Sequence, residues 1–178
     1  KVVANKQTRK GKLIFCQFRS EIAHLKNRLS AAGFNVAVIQ GSTSKKERQY
    51  AIQSPIAIDD IASIIDAKTT SLGAYATNIA HRINSFLAPD VLIAQIQTAC
   101  EGLNLQHFNE VYFTTPHWNP AVEDQSIARA HRIGQTSQVN VYKFITTFST
   151  DATSLDQYCL NVQQIKREAA SIIKPTKV

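Results

Sequence analysis

Two hydrophobic rhythms alternate along the chain. Residues 12–18, Lys-Leu-Ile-Phe-Cys-Gln-Phe, are nearly continuous in apolar side chains, the pattern of a strand covered on both faces of a parallel sheet. The next stretch changes period. Ile22, Leu25, Leu29 and Ala32 recur at about 3.6 residues, with Ser20 where a helix cap belongs and Gly33 where the helix should stop. Residues 35–40 predict a second strand, and Gly41-Ser42-Thr43 a turn. Ser44-Lys45-Lys46-Glu47 has the S-x-x-E form of a capping box, so a helix should begin there. This β-α-β-α series implies right-handed crossovers and a parallel sheet.

The rhythm loosens over 53–75, where Pro55, Asp59-Asp60, a helical triplet of Ile61, Ile64 and Ile65, and a Thr-Ser-Gly run follow one another. A surface insertion holding one short helix is expected there. Helix resumes over 77–87, and 90–96 is a further buried strand leading into 98–105. Residues 110–114 and 138–145 bring the strands to about five, and 151–173 predicts a closing helix ended by Pro175. Three parts are therefore expected: a basic N-terminal segment over 1–11, an α/β lobe over 12–150 with the insertion at about 53–75, and a C-terminal closing helix over 151–178.

Composition narrows the class. With 178 residues, 44% of them hydrophobic, the chain can bury one ordinary core. No apolar run approaches the roughly 18 residues of a membrane span, and the basic start lacks the apolar centre of a secretory signal. An intracellular protein without a membrane partner is the expectation. Cys16, Cys100 and Cys159 are odd in number and set in apolar surroundings, which suits reduced thiols and argues against a disulfide framework or a metal site. The chain starts at Lys1 and has no methionine, as expected for a segment of something longer, although processing would also account for this.

The net charge of +7 is uneven. The first 50 residues carry eleven Lys or Arg against only Glu21 and Glu47. Such a balance points to a polyanion such as nucleic acid, while a solvated tail with ordinary surface lysines fits the composition equally.

The chemistry concentrates in Gln125-Ser126-Ile127-Ala128-Arg129-Ala130-His131-Arg132-Ile133-Gly134-Gln135. At about 100° per residue, Gln125, Arg129 and Arg132 share one helix stripe. Two guanidiniums three residues apart repel each other, so the stripe is suited to an anion, a triphosphate above all. The alternative is an exposed basic helix whose arginines meet Glu123, Asp124 or water. In open parallel sheets the ligand crevice lies at the carboxyl ends of the strands, and four unusual loops are expected there: 17–20, 41–43, 98–104 and 116–120. Gly41, Ser42, Thr43 and Gly102 are small enough to let backbone amides approach phosphate. No G-x-x-x-x-G-K-[ST] segment occurs, and Asp59-Asp60 does not follow an apolar strand.

In these residues the chain resembles the second RecA-like lobe of Swi/Snf-type ATPases of helicase superfamily two. Residues 12–18 look like motif IV, and Gln40-Gly41-Ser42-Thr43 with Glu47-Arg48 like the DNA-contact segment after it. Gln97-Thr98-Ala99-Cys100-Glu101-Gly102-Leu103-Asn104-Leu105-Gln106 is similar to motif V, Trp118-Asn119-Pro120 to the adjoining motif, and 125–135 to motif VI. The resemblance implies a parallel sheet of about five or more strands with helices on both faces. It implies that Arg129 and Arg132 are arginine fingers oriented by Gln125, and that Glu101, Gly102 and Asn104 couple nucleotide to DNA. Gln17, Gly41, Ser42, Thr43, Arg48 and Thr98 would contact the DNA backbone, and Trp118 the minor groove or backbone, with packing as the alternative for Trp118. His131 would be a packed histidine rather than a base, and Lys45 and Lys46 an electrostatic rim or a solvated helix start.

ATP with Mg2+ would be held mainly by an N-terminal ATPase lobe of the same protein, leaving no cofactor intrinsic to this chain, which alone should be inactive. Double-stranded DNA is the implied substrate and the nucleus the implied compartment. Two departures stand out: Cys100-Glu101 where many members carry a Gly-Gly run, and the insertion, which is a protein-partner site or a surface excursion. A non-catalytic nucleic-acid- or protein-binding scaffold is the competing expectation. A small-molecule α/β enzyme fits poorly, since neither a dinucleotide fingerprint nor a nucleophile elbow is present.

Overall fold

The computed structural model describes residues 11–52, 89–99, 102–149 and 152–173. The basic start, the insertion, the helix expected over 77–87, and Cys100 and Glu101 lie outside the described residues. Five strands, β1 (Gly11–Cys16), β2 (Val36–Ile39), β3 (Val91–Gln95), β4 (Phe108–Phe113) and β5 (Asn140–Lys143), form one sheet in the order β2-β3-β1-β4-β5. Every pairing is parallel, with Ile14 opposite both Ile93 and Tyr112. The helices are α1 (Arg19–Ala31), α2 (Lys45–Ala51), α3 (Ile96–Ala99), α4 (Pro120–Ala130) and α5 (Leu155–Ile173).

The pleat explains why the central strands read as continuous apolar runs. Leu13 and Phe15 face one core with Ile39, Leu92, Val111 and Ala130, whereas Ile14 and Cys16 face another with Ile22, Leu29 and Tyr112. Both faces are covered, so alternation disappears. Each such fully buried Leu, Ile or Phe contributes about 1.5–3 kcal/mol, and the Phe15 and Phe113 rings stack at 5.2 Å in the first core.

Local signals held at most turns. Gly33 takes φ +81 and closes α1 while Phe34 N donates to Leu29 O at 3.1 Å, a Schellman ending. Ser44 and Glu47 make both halves of the expected capping box. Ser20 does not cap α1. The strand ends two residues earlier than expected, Phe18 takes the cap position, and Oε2 of Glu21 accepts the Gln17 and Phe18 N–H groups at 3.2 Å each. The closing helix starts at Leu155, where Ser154 and Gln157 bond each other's backbone N–H. Lys12 belongs to the basic third of the sequence yet is buried, 3.4 Å from Glu110, whose Oε2 also accepts the Tyr112 hydroxyl.

A uniformly parallel sheet has two unlike edges. Segments leaving strands, such as 17–18, 40–44 and 114–119, meet at the carboxyl edge. Segments entering them, 104–107 ahead of β4 and 131–139 ahead of β5, meet at the amino edge.

Candidate functional site

Helix α4 is set by its start. Asn119 caps it by accepting the Ala121 N–H at 3.1 Å, and Pro120 occupies the first helical position. Gln125 and Arg129 follow at i and i+4. Arg132 does not complete the stripe expected from the sequence. The helix ends at Ala130, and His131 already has ψ 79. Tertiary donors take the last carbonyls: Leu105 N bonds Arg129 O at 3.1 Å, and the Gln135 side-chain amide reaches Ala130 O at 3.4 Å. Helical spacing carries no trace of donors that arrive from elsewhere in the chain.

Arg132 therefore stands on a turn at the amino edge, exposed to solvent. That turn is rigidly tied. Nε2 of Gln135 also donates to Gln106 O at 2.6 Å and Phe108 O at 3.3 Å, and its Oε1 accepts from Ser137 N at 2.9 Å. Gly134 has φ +100, and a Cβ there would come within 3.1 Å of Gln106 Oε1. Arg132, Asn104, Gln106, His131 and Ile133 line an open cleft of about 500 Å3. Asn104 Oδ1 accepts from Gln106 N at 3.4 Å, a local Asx turn that fixes the loop. Arg132 and Asn104 are thus brought together. Gln125 is exposed on α4 and does not line this cleft, and neither does the half-buried Arg129. Gly102 is exposed at φ +66, and Glu101 lies outside the described residues.

The remaining predicted residues gather at the carboxyl edge, so the four loops expected to share one edge divide between two. The segment after β3 begins at the carboxyl edge with the half-buried Thr98 and crosses to the amino edge by Asn104. Gly41 and Ser42 are exposed. Thr43 and Arg48 are already used: Thr43 Oγ1 accepts from Gln40 N at 2.9 Å, and Arg48 Nε donates to Thr43 O at 3.1 Å. They hold the turn that presents Gly41 and Ser42. Gln17 is likewise a tie, its Nε2 donating to Pro116 O at 2.7 Å. Trp118 is 51% exposed, with Lys166 Nζ 5.0 Å from its ring centroid and donating to its carbonyl, and with Tyr158 packed 6.0 Å away. This aromatic and cationic group faces solvent.

Sequence reasoning missed Glu123. It is fully buried on α4, accepts from His117 N at 2.6 Å and Gln163 Nε2 at 2.8 Å, and pairs with Lys143. It pins the loop before α4, strand β5 and α5 together. A faint signal existed: Glu123 shares a helical face with Ser126 and Ala130, and a carboxylate among small residues marks a buried polar hub. The acids named as alternative partners for the arginines are occupied, Glu123 by Lys143 and Asp124 by Arg167 at 2.9 Å, a pairing that raises the Arg167 pKa. Burial pushes the His107 imidazole down to about 4 and the Cys16 thiol up to about 12. Both are uncharged near neutrality.

Residues 1–134 match the family described as the helicase conserved C-terminal domain. The chain is 29% identical over 159 residues to a SWI/SNF-related matrix-associated actin-dependent regulator of chromatin from Arabidopsis thaliana, covering 89% of this chain and 14% of that one. It is 28% identical over 159 residues to human helicase-like transcription factor, covering 89% of this chain and 13% of the other. It thus spans only about a seventh of these relatives. In fold it is similar to the C-terminal part of the Fun30 ATPase domain, with a TM-score of 0.56 and 21% identity over 96% of this chain and 50% of that one. A match over most of its length decides the kinship: the chain belongs to the helicase conserved C-terminal domain family, with relatives of the Swi/Snf type.

Proposed function

We propose that this chain is the second lobe of an ATP-dependent double-stranded DNA translocase of the chromatin-remodelling kind, acting in the nucleus. The observation that carries the reading is the exposed Arg132 on a turn locked by Gln135, beside Asn104 at the amino edge. A guanidinium carried on a backbone turn fixed in advance needs less reorganisation when charge develops on a transferring phosphoryl group, which favours the transition state over the bound ATP. Arg132 is the principal finger. Arg129 supports it from the end of α4, Gln125 lies farther back on that helix, and Glu101, Gly102 and Asn104 form the loop that senses the nucleotide.

The phosphate loop belongs to an upstream ATPase lobe, and this chain alone turns over no ATP. ATP with Mg2+ is held mainly by that lobe. DNA lies along the opposite edge, where Gly41 and Ser42 offer amides and a hydroxyl to phosphates and Trp118 with Lys166 offers a stacking and cationic surface. Thr43, Arg48 and Gln17 shape those turns, and Thr98 opens the segment that runs from the DNA edge to the ATP edge. The insertion over 53–75 is a site for a protein partner.

The test is DNA-stimulated ATP hydrolysis by the full-length protein. Replacing Arg132 with Ala should lower turnover by about 10³ or more, and Arg129→Ala should also impair it. Turnover unchanged in both variants would refute the assignment.

A further inference from the structure

Strand β2 is the outermost strand of the sheet, and among the described residues no strand pairs with its outer side. Helices α1 and α2 flank it on opposite faces. Between them lies an open groove of about 450 Å3, running from the Ser42 turn along β2 and including Ala37 and Val38 of the strand itself. One wall is cationic: Arg19, Ala23 and Lys26 are exposed at i, i+4 and i+7 of α1. Neither cation has a carboxylate within ion-pair distance among the described residues. The other wall, from α2, offers Tyr50, Ala51 and Glu47, whose carboxylate is turned to the Ser44 N–H. Apart from the Ser42 turn, which the proposed DNA contact uses, these groups have no part in the ATPase reading.

We propose that this groove is a docking site for an extended acidic segment of a partner protein, which adds to β2 as a sixth strand. A strand edge supplies main-chain donors and acceptors in a row, the usual basis of strand addition. An extended chain can pair with the β2 edge residue by residue, whereas duplex DNA has no row of amides and carbonyls to offer it. The walls set the sequence preference. Side chains of an added strand alternate between the α1 wall and the α2 wall. Acidic residues at every second position would run along the α1 wall, where Arg19 and Lys26 lie about 10 Å apart, between the about 6.6 Å and about 13 Å spacings of same-face strand positions, a difference their long side chains can bridge. The intervening positions face Tyr50 and Ala51 and should be small and apolar, because Glu47 repels acid on that side.

The test uses the 178-residue chain and a fluorescent hexapeptide of alternating Glu and Val, read by polarisation and by amide shifts at Val36–Ile39. Expected are saturable binding, shifts confined to β2, α1 and α2, and at least tenfold weaker binding by Arg19→Glu with Lys26→Glu, a double change on the exposed face of α1. N-methylation of alternate peptide amides should also abolish binding, which separates strand addition from charge attraction alone. Three results would overturn the proposal: no binding of the acidic peptide, equal binding of the methylated peptide, or binding of duplex DNA that depends on Arg19 and Lys26 where the peptide shows none. ATPase turnover is read separately through Arg132, so either proposal can fail without the other.

Discussion

Replacing Gln135 tests how far its side-chain amide holds the turn that carries Arg132, the proposed finger. In Gln135→Ala, three carbonyls lose a donor, those of Gln106 at 2.6 Å, Phe108 at 3.3 Å and Ala130 at 3.4 Å, and Ser137 N loses its acceptor. Only the shortest bond is strong by geometry, and Gln135 is half-buried, so water can recover part of the loss. A cost of about 2 kcal/mol follows, one good hydrogen bond plus incomplete satisfaction of buried carbonyls. Gln135→Glu separates hydrogen bonding from packing. It keeps the shape but turns a carboxylate toward the same carbonyls, so it should be at least as destabilising as Ala. Denaturant unfolding of the chain measures both. If Arg132 is the finger proposed above, kcat for ATP in the full-length protein should fall by up to about 10² with little change in KM, because a guanidinium displaced by roughly 1 Å loses its alignment in the transition state only. If the Glu variant were as stable as the parent and equally active, the amide would be mere filling and the argument would fail.

Two further outcomes follow from buried polar groups. Glu123→Ala strands Lys143, Gln163 and the His117 N–H together, and should cost about 3 kcal/mol by thermal unfolding, with Glu123→Gln milder; an unchanged Tm would dismiss the hub. His107 has a folded pKa near 4 against 6.5 free, so the unfolded chain takes up the proton first, and stability complete above about pH 6.5 falls as pH drops toward 4, by up to roughly 3 kcal/mol. A Tm series over that range should slope in the parent and flatten in His107→Gln; a parallel slope in both would exclude His107 as its source.

What could be read from sequence was what is decided locally. The Gly33 stop and the Ser44–Glu47 box depend on residues within four positions, and the buried runs of β1, β3 and β4 report their own coverage. The failures share a cause. α4 ends where Leu105 and Gln135 arrive to bond its carbonyls, and neither encounter has a period to detect. Ser20 lost the cap position because Glu21 could reach back to two amides from inside the helix. Division of the site between two edges was hidden in the segment after β3, which crosses the sheet before entering β4. The side chains of Thr43 and Arg48 are bonded within their own turn, and that of Gln17 is tied across to the Pro116 carbonyl of another loop, partners that composition and spacing do not show.

Strand β4 has every residue from Phe108 to Phe113 buried. One end is gripped at the Phe108 carbonyl by Gln135, and beyond the other Thr114 bonds Phe15 O and leads toward Trp118. Six residues of extended chain span about 20 Å, and a close-packed interior does not compress. The strand is therefore a stiff connection between the two edges. Under the proposed function, a displacement imposed at the arginine turn would be passed to the Trp118 side with little loss by bending within the lobe.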